Sequence, residues 1–119
     1  MILLDTSVWV DHFDKVDDEV TGLLSSRRIV IHPYVIGELA MGNFRNRDAT
    51  IEVLNELMML LPMRHSLIMK FVKNQSLFGT GLQYVDAHLL GSVLTTAGCK
   101  IWTRDKRLHA VAERLGVAA

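Results

Sequence analysis

Three short, mostly apolar runs, Ile2-Leu3-Leu4, Ile29-Val30-Ile31 and Lys100-Ile101-Trp102-Thr103, lack the polar/apolar alternation of a strand with one wet face. Runs without that alternation are expected of strands covered on both sides, the usual situation in a parallel sheet flanked by helices. The stretches between them carry helical spacing, clearest at Leu89, Leu90, Val93, Leu94 and Ala97, which fall on one continuous face. Strands separated by helices imply an α/β protein: a three-layer α/β/α sandwich around a short, mainly parallel central sheet. With no internal repeat and no linker, residues 1–119 read as one domain, large enough to bury about two-thirds of its unfolded surface without disulfides or a structural metal.

Turn and cap residues mark the boundaries. Pro33 suits the first turn of a helix running through Met41, with Gly42 at its end. Asp48 is expected to cap a helix over Ala49 to Leu60, which Pro62 cannot prolong. Another helix is expected from His65 to Leu77, followed by a Gly79-Thr80-Gly81 turn and a helix containing Asp86 that Gly98 ends. Asp105 opens the last helix and Gly116 closes it. Two short helices, interrupted at Asp17-Asp18, are expected between Thr6 and Ser26.

Thirteen Lys and Arg balance thirteen Asp and Glu, so no global field draws the chain toward nucleic acid or an anionic membrane. The single Cys99 reads as a small buried hydrophobe in a reducing compartment. The opening Met1 to Asp5 has no basic region, and no apolar stretch approaches the roughly 20 residues of a membrane span. A cytoplasmic protein without a membrane partner is therefore expected.

The acids carry the functional signal. Asp5 directly follows the first strand, and Asp105 lies two residues beyond the last. In a parallel sheet both positions share the carboxyl edge, where open α/β sheets bind ligands. Each also suits a helix cap, a purely structural role. Glu38 and Asp86 sit among hydrophobes, in Val35-Ile36-Gly37-Glu38-Leu39-Ala40 and Tyr84-Val85-Asp86-Ala87. Carboxylates in such surroundings need a cation, a donor network or an open cleft. The structural alternatives are a Glu38 pair with Arg45 or Arg47, and a helix cap at Asp86.

Taken in order, Leu4-Asp5-Thr6-Ser7, Glu38 in its apolar helix, Tyr84-Val85-Asp86-Ala87 and Thr103-Arg104-Asp105-Lys106-Arg107 resemble the PIN-domain nucleases. More narrowly, they resemble VapC toxins of bacterial toxin–antitoxin pairs. The resemblance runs from Asp5 to Leu108. It implies a PIN-like fold, in which Asp5, Glu38, Asp86 and Asp105 gather to bind Mg²⁺ or Mn²⁺ and act in RNA phosphodiester hydrolysis. It gives Thr6 and Thr103 the role of shaping the acidic pocket. A VapB-type antitoxin partner and a homodimer are implied as well, with operator DNA reached only through the antitoxin.

Elementary chemistry agrees with that set. Clustered like charges raise one another's pKa and destabilise a fold unless a cation neutralises them, and all-oxygen ligation without His or Cys suits hard ions.

Charge is polarised along the chain: residues 1–20 hold six acids and one Lys, whereas Lys100, Arg104, Lys106, Arg107 and Arg114 crowd the C-terminal end. Arg104, Lys106 and Arg107 flank the acidic site and are candidates for RNA phosphate contacts, the alternative being a solvated helix face. Single-stranded RNA is commonly read by exposed aromatics, but core packing is the expectation for Trp9, Tyr34, Tyr84 and Trp102. The five His show no metal-ligand spacing and read as capping or surface residues, and Gly79-Thr80-Gly81 lacks the continuation of a P-loop. Two rival readings are a PIN-like domain that binds a partner and cuts nothing, and a receiver-like phosphoryl-transfer domain. The second lacks an acid after the Ile29 to Ile31 strand.

Overall fold

The computed structural model describes residues 1–119 throughout. The chain runs β1 (Ile2–Leu4), α1 (Thr6–Asp14), α2 (Asp18–Ser25), β2 (Ile29–Ile31), α3 (Pro33–Ala40), α4 (Arg47–Glu56), β3 (Met58–Met59), α5 (His65–Asn74), α6 (Tyr84–Leu94), β4 (Lys100–Trp102) and α7 (Lys106–Arg114). All four strands are parallel, in the order β3-β2-β1-β4.

Ile29, Val30 and Ile31 are all buried although successive side chains point to opposite faces, so β2 is covered on both sides. One continuous core joins these residues to Leu3, Leu4, Ile101 and the apolar faces of the helices. α1 packs on α3 and α3 on α4, while α5 packs on α6 and α6 on β4. The C-terminal segment partly covers the outer edge of β4: Ile101 N donates to Val117 O at 2.8 Å, and Ala119 N to Ile101 O at 2.9 Å.

The expected helix through Leu60 ends instead at Glu56. Leu57 turns extended, Met58 and Met59 pair with Val30 and Ile31, and Leu60 N donates to Ile31 O at 2.7 Å. Methionine has little intrinsic preference for strands; the open edge of β2 and the burial of Leu60 decide the conformation here. Asp48 does not cap α4. Asn46 precedes the helix in the left-handed region with φ 56°, and Asp48 lies in the first turn bound to Arg47. The helix expected to reach Leu77 stops at Asn74, where Ser76 takes φ 52° and Leu77 N returns to Val72 O.

From β1 the chain proceeds to β2 on one side, and β4 later joins β1 on the other. The carboxyl ends of β1 and β4 therefore border a topological switch point, where connections leave in opposite directions and a crevice opens.

Candidate active site at the carboxyl edge of the sheet

Asp5 and Thr103 leave the adjacent strands β1 and β4 side by side. Asp5 N donates to Trp102 O at 2.9 Å, which extends the sheet register to the acid itself. The buried Asp5 carboxylate accepts from Thr6 N (2.7 Å), Ser7 Oγ (3.0 Å) and Thr103 Oγ1 (2.7 Å). Thr103 Oγ1 also accepts from Asp105 N at 3.0 Å, so one hydroxyl positions both acids. Asp105 in turn caps α7, its Oδ1 accepting from Arg107 N (2.8 Å) and Leu108 N (3.2 Å). Capping and site formation coexist: the cap fixes one oxygen of Asp105 and leaves Oδ2 without a protein donor.

Glu38 projects from α3 and accepts from Thr6 Oγ1 at 2.7 Å, so it meets the β1–α1 junction. Neither arginine weighed as its partner takes that role: Arg47 binds Ala40 O and Asp48, and no ion pair joins Arg45 to Glu38. Asp86, in the first turn of α6, accepts from Gln83 N at 2.9 Å through Oδ2. Burial pushes the Asp86 carboxyl above the usual carboxylate range, and the fields of Asp5, Asp105 and Glu38 add to that rise against the opposing Gln83 hydrogen bond. Asp86 thus lies within the fields of acids from three other segments.

Glu38, Asp86 and Asp105 each retain one carboxylate oxygen with no protein donor. No three Asp, Glu, His or Cys side chains stand close enough together to hold a metal ion among them. Such an arrangement suits a hard, hydrated cation, because Mg²⁺ characteristically keeps several waters and takes only one or two carboxylates directly. The donor chemistry therefore fits Mg²⁺ or Mn²⁺.

The flanking cations divide sharply. Arg104 Nε lies 2.7 Å from Asp11 and Nη2 2.9 Å from Asp17, with its guanidinium 5.4 Å from the Trp102 ring centroid. Backbone donation from Val20, with Glu19 and Arg104 assisting, holds Asp17 below the ordinary carboxylate range. Lys100 and Arg114 are committed to the carbonyls of Gly116 and Gln75. Lys106 and Arg107 enter no ion pair and remain exposed. The Arg107 side chain lies across Gly81, where an added Cβ would stand 2.9 Å from Cδ.

Sequence patterning misplaced several rings. Tyr34 and Tyr84 are 36 % and 46 % exposed rather than core residues, whereas His88 is buried. His32 caps α3 by accepting from Tyr34 N at 3.0 Å, and its Nε2 and both His88 ring nitrogens have no partner. Burial, aided by the His88 field, pushes His32 down to about 4; burial also lowers His88. The apolar neighbours Ala87, Leu89 and Leu90 were the only hint that His88 faces inward.

The sequence pattern of the PIN domain matches residues 2–114. Ribonuclease VapC32 from Mycobacterium tuberculosis, strains CDC 1551 / Oshkosh and ATCC 25618 / H37Rv, is 42 % identical over 118 residues, covering 99 % of this chain and 95 % of that protein. The crystal structure of PAE2754 from Pyrobaculum aerophilum superposes with a TM-score of 0.65 over 99 % of this chain and 87 % of that one; at 16 % identity the likeness concerns the fold. A PIN-domain match over residues 2–114, a near full-length VapC relative and acids ranged along the carboxyl edge of a parallel sheet place this chain in the PIN-domain family, in its VapC branch.

Proposed function

We propose that the protein is a divalent-cation-dependent endoribonuclease that hydrolyses RNA phosphodiester bonds and serves as the toxin of a toxin–antitoxin pair. The joining of acids at the carboxyl edge carries the reading: Thr103 Oγ1 binds both Asp5 and Asp105 N, Thr6 brings Glu38 to the same junction, the fields of all three reach Asp86, and such a centre calls for positive charge. The VapC ribonuclease relative supports RNA as the substrate.

Asp5, Glu38, Asp86 and Asp105 would hold Mg²⁺ or Mn²⁺. The ion, when bound, supplies Lewis-acid polarisation of the phosphate and a more acidic water. The chain's own groups do the rest. Thr6 and Thr103 fix the angles of Glu38 and Asp5. A carboxylate oxygen without a protein donor, on Asp86, Glu38 or Asp105, orients the attacking water and accepts its proton. Arg107 and Lys106 hold phosphates near a centre that otherwise repels them, and Arg104 serves this purpose least because its charge is spent on Asp11 and Asp17.

A VapB-type antitoxin has a suitable seat. A groove of about 450 Å³ lined by Val10, Phe13, Glu38, Leu39, Phe44 and Arg45 opens beside the site, its wall formed by Phe13 stacked on Phe44 at 4.7 Å. An amphipathic antitoxin segment lying there reaches Glu38 with a basic side chain. Homodimerisation, operator contact solely through the antitoxin, and a cytoplasmic site of action complete the proposal.

Freshly purified, partner-free protein is expected to cleave RNA with Mg²⁺ or Mn²⁺ and to stop on chelation. Asp5→Asn, Asp86→Asn and Asp105→Asn should each lower cleavage about a hundredfold or more while far-UV circular dichroism stays native. Cleavage that persists in chelator, or in all three variants, would refute the mechanism; a folded parent that binds the antitoxin and cuts nothing would make the domain a binding module.

A further inference from the structure

Glu38 borders two depressions. Besides the phenylalanine-walled groove, an open one of about 400 Å³ lies between α3 and α6, lined by Tyr34, Gly37, Glu38, Met41, Tyr84 and Val85. Its aromatic walls are preset. Tyr34 and Tyr84 pack edge-on against the same buried imidazole, His88, at centroid distances of 4.7 and 4.6 Å, and the Tyr84 hydroxyl is 2.8 Å from His65 Nδ1. Rings held in this way keep exposed surface without needing to be reordered on binding.

We propose that this groove receives an unpaired nucleobase of the RNA next to the scissile phosphate, stacked on Tyr34 and Tyr84. The inference rests on the ribonuclease reading and adds to it the part of the substrate that the acidic centre cannot recognise. Three observations favour a base over other occupants. Glu38 is shared with the acidic centre, so a group in the groove is contiguous with the reacting phosphate. The lining contains no cation, which excludes a phosphate, while Lys106 and Arg107 supply unpaired cations elsewhere on the site's flank. Gly37 leaves the groove open: the residue is exposed, and a Cβ built on it meets nothing within 4 Å. Exposed aromatics beside a backbone track are how proteins hold single-stranded nucleic acid with tolerance of sequence.

Gly37 makes the proposal testable without disturbing the core. Gly37→Leu projects a side chain into the groove from an exposed helical position and favours the helix, so folding is preserved. Binding is read by fluorescence anisotropy of a labelled random-sequence ten-nucleotide RNA in chelator, alongside a ten-unit abasic ribose-phosphate chain of the same charge. The parent is expected to prefer the RNA over the abasic chain, and Gly37→Leu and Tyr34→Ala to weaken RNA binding roughly tenfold with little effect on the abasic chain. Tyr34→Phe restores binding, because stacking uses the ring face. Equal affinity of the parent for both probes, or unchanged RNA binding in Gly37→Leu, overturns the inference. So does a change in which Gly37→Leu alters only self-association or antitoxin binding, since the groove then belongs to a protein. Cleavage of RNA by the same parent preparation separates the two levels: a parent that cuts RNA but binds the RNA and abasic probes equally loses the groove alone, whereas one that cuts nothing in Mg²⁺ or Mn²⁺ loses the ribonuclease reading.

Discussion

Thr103 shows how much a single side chain organises at this edge of the sheet. It is buried, donates to Asp5 and accepts from Asp105 N, so its hydroxyl ties together two acids exactly one hundred positions apart in the chain. Thr103→Val keeps the branched shape and removes both bonds, leaving the part-buried Asp105 N and the buried Asp5 carboxylate each short of a partner. A loss of about 1–3 kcal/mol in chemical denaturation is expected, with Thr103→Ser recovering most of it. Asp86 behaves in the opposite sense. Its folded pKa is raised, so the fold favours its neutral form; this group adds stability below its unfolded pKa and subtracts stability as pH rises through the folded value. Asp86→Asn should therefore raise the melting temperature of metal-free protein near pH 7, the amide oxygen still accepting from Gln83 N. Mg²⁺ should raise the melting temperature of the parent more than that of the variant, and calorimetric scans with and without the ion compare them. The four acids were legible in the sequence because strand ends and an apolar context both single them out. The fate of the cations was not: nothing local tells that Arg104 crosses to Asp11 and Asp17 while Arg107 stays free.

At the scale of elements, the helix ends marked by glycine were the easiest to read, the left-handed turns at Asn46 and Ser76 escaped notice, and the pairing of β3 was the hardest. Gly98 and Gly116, expected to follow α6 and α7, take φ of 71° and 75°. β3, two residues long and made of methionine, exists because β2 offers it an edge, and no pattern within Met58-Met59 announces that. The Gly79-Thr80-Gly81 turn is more than a connector. Gly81 has φ 84° and Arg107 lies against it, so Gly81→Ala meets both an unfavourable backbone and a side chain 2.9 Å away. A destabilisation of about 1–2 kcal/mol is expected, together with displacement of Arg107 and weaker RNA binding at low salt. RNA binding that stays at the parent's level in the destabilised variant would show that the guanidinium's contact with RNA does not depend on Gly81. Gly91 is close-packed for another reason: a Cβ there stands 2.7 Å from Met63 Sδ, the yielding end of a flexible side chain, so Gly91→Ala is expected to be tolerated better than Gly81→Ala.

Across the whole molecule, a chain of zero formal charge keeps its acids and bases apart in sequence and then folds the two regions against each other. That arrangement neutralises Arg104 and leaves an acidic centre with Lys106 and Arg107 at its flank. Fold class was readable throughout, since three short, mostly apolar strands separated by helices leave few alternatives to a parallel α/β sandwich. The buried imidazoles were not, because burial of His32 and His88 arises from contacts between α3 and α6 that no local spacing encodes. Their chemistry has a global consequence. A folded pKa depressed to about 4 means that His32 is held neutral; its contribution is complete above the unfolded value near 6.5 and is lost as pH falls toward 4. His32→Asn retains a capping oxygen for Tyr34 N and removes the titration, so its melting temperature should fall less steeply than the parent's across that window. Parallel slopes would mean that His32 carries no part of the acid sensitivity. The central claim, however, is that acids from four distant segments form one cation site. Isothermal titration of Mn²⁺ into partner-free protein tests it most directly, run on the parent and on Asp5→Asn, Glu38→Gln, Asp86→Asn and Asp105→Asn. Weaker Mn²⁺ binding in every one of the four is the predicted result; binding to all four with the parent's affinity would contradict a shared site.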